Sequence, residues 1–311
     1  VLHAREHRVG FEVTMIDSRS LRYALLVSSL PILAWAQQAA LPAQPLTIEG
    51  ATSHVYKSVD GSELRLHIFS PPNQSASVTR AAIVFFFGGG WLGGSVERFV
   101  PQARYLAQRG MIAIVADYRV YGRHKTSPVE AVTDAKSAVR WVRSHARELG
   151  IDPNRIAAAG ESAGGHIALS AAMFERFDEP GEDRQVSSRP DALVLFNPAV
   201  DTTSEGLQQR FGDRVTEVSP LHHLGSRLPP TIILHGKSDT IVPYADVERF
   251  CTQAKSRGLP CELVGYEGAP HAFFRPEKDE HGKWYRETLL EADRFLTKLG
   301  YLQGPSPTQI R

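Results

Sequence analysis

Three side chains able to share the work of acyl transfer occur in the order Ser162, Asp239, His271. Ser162 stands in Gly160-Glu161-Ser162-Ala163-Gly164-Gly165. Arg155 to Ala159 before it reads as a buried strand, and Gly165 to Ala172 after it reads as a helix. Strand, Gly-x-Ser-x-Gly, helix is the setting of a nucleophile elbow, where small residues let strand and helix approach and lift the hydroxyl clear of the sheet. A glycine-rich turn with an incidental serine is the competing reading of the pentapeptide, so the other residues have to decide. Asp239 follows the apolar run Thr231–Gly236, where a carboxylate can orient an imidazole and stabilise its protonated form. A lone aspartate more commonly caps a turn. His271 follows the last apolar run, and a neutral imidazole there can take the serine proton and return it to a leaving group. The chain has 12 histidines; His3, His7, His54, His67, His145, His166, His222, His223 and His281 lack comparable placement and read as surface or packing residues.

A fourth feature fits the same chemistry. Gly88-Gly89-Gly90 ends the run Ala81 to Phe87. Consecutive glycines can turn their N–H groups into a cavity, and with the N–H of Ala163 they can hold the oxyanion of a tetrahedral intermediate. The expected donors are Gly88, Gly89 and Ala163. A flexible turn is the plainer alternative; a phosphate loop is disfavoured because no Gly-Lys-Ser/Thr follows. Trp91 and Tyr118, near strand ends, could stack on a sugar ring or pack the core.

Positioning these groups requires strands that end near one another. Apolar runs at 81–87, 111–116, 155–159, 192–196, 231–236 and 262–266 are short and unbroken, as strands buried on both faces are. Helical spacing separates them at 100–109, 128–149 (Pro128 near its start, Gly150 at its end), 165–172 and 244–257, and a closing helix spans 284–299. Thr52–Lys57 and Leu64–Phe69 alternate around Asp60-Gly61 as a hairpin. Strands alternating with helices imply an α/β fold with a mainly parallel central sheet and helices on both faces, whose ligand chemistry gathers at the C-terminal strand ends. Residues 201–228 have no clean period and are expected to form a small lid.

The 311 residues suit one large domain, and the net charge of +1, with no basic stripe interleaved with aromatics, gives nucleic-acid binding no support. Arg19 and Arg22, the apolar stretch Tyr23–Leu33 and Ala34-Trp35-Ala36 form a secretory leader pattern. The stretch is shorter than the roughly 20 residues that span a bilayer. Residues 1–36 therefore read as an extension plus a leader cleaved near Ala36, with Met15 a possible start. Residues 37–50 read as a linker, and 51–311 as a single catalytic domain without a stable membrane anchor. Export would place Cys251 and Cys261 in an oxidising compartment, where their spacing permits a disulfide without requiring one. Neither has metal-ligand neighbours at the right spacing, and no metal or organic cofactor is implied.

Phe87-Gly88-Gly89-Gly90-Trp91, Asp117-Tyr118-Arg119, Gly160–Gly165, the Asp239 segment and His271-Ala272-Phe273-Phe274 resemble the α/β-hydrolase fold, in its hormone-sensitive-lipase-like and acetyl-esterase branch. The resemblance covers roughly residues 50–300. It implies a Ser162–His271–Asp239 triad, an acyl-serine intermediate, and short-acyl carboxylesterase activity on small-molecule or polysaccharide esters. Lipase action on longer chains, a prolyl-oligopeptidase-like peptidase and a non-catalytic binding protein stand as alternatives. Two departures are visible. Phe87 replaces the histidine that usually opens the glycine loop (Glu161, where Asp is common, is a mild change), and the second departure is at the N-terminus. The short segment before the first hairpin implies a small cap and an open site.

Overall fold

A computed structural model describes residues 41–72, 78–225, 227–278 and 281–309 of the chain. The leader read in residues 1–36 lies outside the described residues. β1 (Thr52–Val59) and β2 (Ser62–Phe69) pair antiparallel. Asp60 and Gly61 between them both take positive φ, 50° and 73°, the conformation that a two-residue hairpin turn demands. β3 (Arg80–Phe86), β4 (Ile112–Ala116), β5 (Ile151–Glu161), β6 (Ala192–Phe196), β7 (Thr231–Gly236) and β8 (Cys261–Tyr266) complete an eight-stranded sheet in the order β1-β2-β4-β3-β5-β6-β7-β8. From β4 to β8 every neighbouring pair is parallel.

Every residue of β4, β6 and β7 is buried. Successive side chains point to opposite faces, so both faces of the sheet centre are covered. The covering helices are α1 (Val100–Gln108), α2 (Tyr121–His124), α3 (Pro128–Ser144), α4 (Ala146–Leu149), α5 (Ala163–Met173), α6 (Tyr244–Ser256) and α7 (Lys283–Lys298). The sequence reading joins α3 and α4 into one helix; the structure breaks it at His145 (φ −99°, ψ 12°). It also begins β5 earlier than expected, because Ile151 pairs with Arg80 before a register shift carries the ladder to Ile156. A capping box, Ser127 with Glu130, starts α3. α1 and α7 are tied by Asp293, which accepts from Tyr105 Oη at 2.8 Å and Arg109 Nε at 2.7 Å. Among the described residues no helix is long and apolar enough to cross a membrane.

One segment departs from its sequence reading and another fills in its detail. Residues 41–50, the described part of the expected linker, form no helix or strand, yet they are tied down: Gln44 Nε2 donates to Gly94 O at 3.3 Å, and its Oε1 accepts from Val96 N at 3.2 Å. The 201–228 segment holds three 3-10 turns, Gln208–Arg210, Gly212–Arg214 and Pro220–His223, which form a small cap.

Cys251 of α6 and Cys261 of β8 are joined in a disulfide, with both residues buried. The bridge closes a short loop, so reduction, or Cys251→Ala with Cys261→Ala, should lower stability by about 2–3 kcal/mol. Thermal unfolding with and without reductant measures this; coincident curves would show that the bridge contributes nothing.

Candidate active site

β5 runs straight into α5 through Ser162, whose backbone sits at φ 52°, ψ −117°. A non-glycine residue there is strained by the order of 1–3 kcal/mol and stays only where its surroundings over-determine it. Ser162 N donates to Phe196 O at 3.0 Å, and Ser162 O accepts from His166 N at 2.9 Å and Ala199 N at 3.2 Å. Gly164 explains the close approach of the helix: a Cβ there would fall 2.1 Å from Phe86 O.

His271 lies in the loop after β8, and its Nδ1 is 2.7 Å from Asp239 Oδ2. That contact sets the tautomer: Nδ1 holds the proton and donates, which leaves Nε2 as the base. Asp239 is held in turn. Its Oδ1 accepts from Ile241 N and Val242 N, each at 2.9 Å, and its side chain is fully buried. Burial opposes its ionisation. The hydrogen bonds from His235, His271 and the Val242 amide outweigh burial and hold the carboxyl well below the usual carboxylate range. His235 Nε2 lies 3.2 Å from Asp239 Oδ2 and 2.9 Å from Val242 O. The sequence reading missed His235, although its position four residues before Asp239 was visible. The histidine loop is fastened to the elbow's neighbour: Ala272 N (φ 59°) donates to Asn197 Oδ1 at 3.2 Å, next to the Phe196 carbonyl that receives Ser162 N.

Glu161, read from sequence only as a mild substitution, is the junction of the site. Its side chain is fully buried. Oε1 accepts from Gly88 N at 3.0 Å, Arg98 Nη1 at 3.0 Å and Arg275 Nη2 at 2.7 Å; Oε2 accepts from Arg275 Nε at 3.0 Å. One carboxylate therefore ties the residue before the nucleophile to the glycine loop and to the loop that bears His271.

This geometry corrects the expected oxyanion hole. The Gly88 amide is already bonded to Glu161 and has no hydrogen left to give to a substrate. Gly89 and Gly90 have N–H groups without an acceptor among the described residues, and with Ala163 they are the available donors. Gly89 has to be glycine: its φ is +138°, and a Cβ would meet Gly93 O at 2.2 Å.

Trp91 and Tyr118 are also corrected. Neither is free to stack on a sugar, since they are 2% and 0% exposed. Tyr118 stacks on Phe87 with ring centroids 4.2 Å apart and donates its hydroxyl to Phe87 O at 2.7 Å. Trp91 packs edge-on against His166 and Phe211. The orientation that a histidine at position 87 would give the loop comes instead from this Phe87–Tyr118 pair, from Arg98 Nη1 donating to Gly88 O at 3.1 Å, and from Arg123 Nη1 and Gln44 holding Gly94 O. His166, buried and pushed down to about 4 by desolvation, is a neutral packing residue.

Comparison with known proteins agrees with this geometry. The BD-FAE profile matches residues 66–204, and that of the prolyl oligopeptidase family matches residues 188–295. Esterase 2 of Thermogutta terrifontis, in a structure phosphoramylated by tabun, is 46% identical and superposes with a TM-score of 0.79 over 83% of this chain and 97% of that one. The chain belongs to the α/β-hydrolase superfamily, among its esterases. A propionate-bound structure of the same Thermogutta enzyme is similar at 45% identity and a TM-score of 0.78, again over 83% and 97% of the two chains. A probable carboxylic ester hydrolase of Mycobacterium tuberculosis is 30% identical over 68% of this chain and 54% of its own length. The chain spans about half the length of the curated relatives it matches.

Two outcomes follow from the hydrogen-bonding scheme. Asp239→Asn should lower kcat by about a thousandfold or more, because the amide stabilises the wrong imidazole tautomer. Asp239 is depressed in the folded protein, so its stabilisation is present above the unfolded carboxylate value of about 3.9 and lost as pH falls towards the folded value. The Tm gap between wild type and Asp239→Asn should narrow on acidification below pH ~4; a gap independent of pH would sink this reading of Asp239. Glu161→Gln should lower Tm and cut kcat about tenfold or more, since it leaves two arginines and the Gly88 amide facing a poorer acceptor. Steady-state kinetics on a short ester measures it, and an unchanged kcat would show that the junction does not hold the loops.

Proposed function

We propose that this chain is a serine carboxylesterase for short, acetyl-type acyl esters, acting outside the cytoplasm. The observation that carries the reading is the 2.7 Å Asp239–His271 contact at the strand ends, together with a strained Ser162 elbow and two glycine amides that have no acceptor among the described residues. In the proposed reaction His271 Nε2 removes the Ser162 proton as Oγ attacks the ester carbonyl. The negative oxygen is received by the N–H groups of Gly89, Gly90 and Ala163. His271 then protonates the leaving alkoxide and an acyl-serine remains. Water, deprotonated by the same imidazole, releases the carboxylic acid. Asp239 stays ionised throughout and stabilises the imidazolium.

Short-acyl preference is supported by the small cap and by the propionate held by the Thermogutta relative. Sugar or polysaccharide acetyl esters are the natural substrates we propose on the strength of the small cap; Trp91 and Tyr118 contribute nothing to that choice. Export, to a periplasm or the medium, is supported by the leader pattern and by the Cys251–Cys261 bridge, which suits an oxidising compartment. A peptidase reading has one observation in its favour, the prolyl oligopeptidase profile over residues 188–295. The profile covers the acid and histidine loops but neither the nucleophile nor the glycine loop, both of which fall within the BD-FAE match over residues 66–204.

Ser162→Ala should abolish hydrolysis of p-nitrophenyl acetate, and wild-type rates should peak at acetate to butyrate along a chain-length series. A peak at octanoate or longer would favour a lipase, and cleavage of aminoacyl-nitroanilides would revive the peptidase. Acetate release from acetylated xylan, pectin and small sugars decides the alcohol side.

A further inference from the structure

Arg210 is a cation beside the reacting centre that the mechanism does not use. It lies on the cap turn Gln208–Arg210, half-buried, with its guanidinium folded onto the glycine loop. Nη1 donates to Gly90 O at 3.1 Å, and a Cβ built on Gly90 would sit 3.3 Å from Cζ and Nη1 and 3.5 Å from Nη2. The charge is thus fixed against the glycine that also offers an oxyanion N–H. Other arginines around the site have carboxylate partners: Arg98 and Arg275 share Glu161, and Arg119 pairs with Asp134. Arg210 has no carboxylate in ion-pair range among the described residues. Its Nε is buried and has no acceptor there. The adjoining wall adds no compensating charge, since Phe211 and Trp91 are apolar and His166 is neutral. With Nε buried and one Nη1 hydrogen on a backbone carbonyl, the second Nη1 hydrogen and Nη2 are left to receive a planar anion in a forked contact.

We propose that Arg210 is a specificity-determining residue which binds a carboxylate carried by the substrate a few bonds from the scissile ester. The preferred substrates are then anionic esters, either half-esters of dicarboxylic acids or acyl esters of an acidic alcohol such as a uronate. The inference rests on the esterase reading and deepens it. The carboxylate pairs with Arg210 from the cap side while the ester carbonyl faces Gly89, Gly90 and Ala163. Charge selection and oxyanion binding therefore share Gly90.

The test compares matched pairs that differ only in charge. Mono-p-nitrophenyl glutarate against its methyl ester probes a carboxylate on the acyl side; 4-acetoxybenzoate against methyl 4-acetoxybenzoate probes the alcohol side. For at least one pair, Arg210→Met should reduce the anionic-to-neutral ratio of kcat/KM by about tenfold or more, the yield of one charge-assisted hydrogen bond. The loss should fall mainly on KM, and Arg210→Lys should restore part of the ratio. The pair affected tells which side of the ester carries the anion. Unchanged ratios in both pairs, or equal losses on charged and neutral esters, would overturn the proposal and leave Arg210 as a support for the glycine loop. If wild type turns over none of the four esters, it is the esterase reading that fails.

Discussion

A single buried carboxylate holds this active site together. Glu161, its own side chain fully buried, receives the Gly88 amide, Arg98 and Arg275. Removing a carboxylate from water is costly, and two guanidinium groups plus a backbone amide offset that cost only where the geometry is good. The arrangement is therefore close to all-or-none. Three chain segments that meet at the C-terminal ends of β3, β5 and β8 must reach their places together for Glu161 to be satisfied. The nucleophile follows Glu161 directly, so its strained backbone is fixed by the same network that sets the glycine loop and the histidine loop.

The proton-transfer side is built by a separate set of contacts. Asp239 is anchored by two backbone amides and by His235, which leaves Oδ2 aimed at His271. Asn197 adds the link between the two halves, holding Ala272 while its neighbour Phe196 holds Ser162. Orientation is thus supplied by groups that do not touch substrate, and the reacting groups need little rearrangement once an ester is bound.

The strands, their alternation with helices and the Ser162–Asp239–His271 order could be read in the sequence because each is signalled by adjacent residues: an apolar run, a glycine-bounded serine, a residue just past a strand. What could not be read depended on distant partners. Glu161 meets Gly88 across 73 positions and Arg275 across 114, and nothing in a Glu beside a Ser announces either. Three consecutive glycines look alike in sequence, so the loss of the Gly88 amide to an internal acceptor was invisible. Trp91 and Tyr118 were placed correctly near strand ends, but a strand end can face the core or the cleft. Tyr118 went to the core because the Phe87 carbonyl and ring satisfied both of its ends.

The cap divides responsibilities in a way that matters for how such an enzyme can change. Its 3-10 turns between β6 and β7 belong to no sheet ladder, and Arg210 reaches the glycine loop through a carbonyl and leaves its amides alone. Residues there can be exchanged without disturbing the Glu161 junction or the Asp239 anchors. On the Arg210 proposal, substrate selection and the holding of nucleophile, base and acid are encoded in different stretches of chain, which meet where Arg210 touches Gly90.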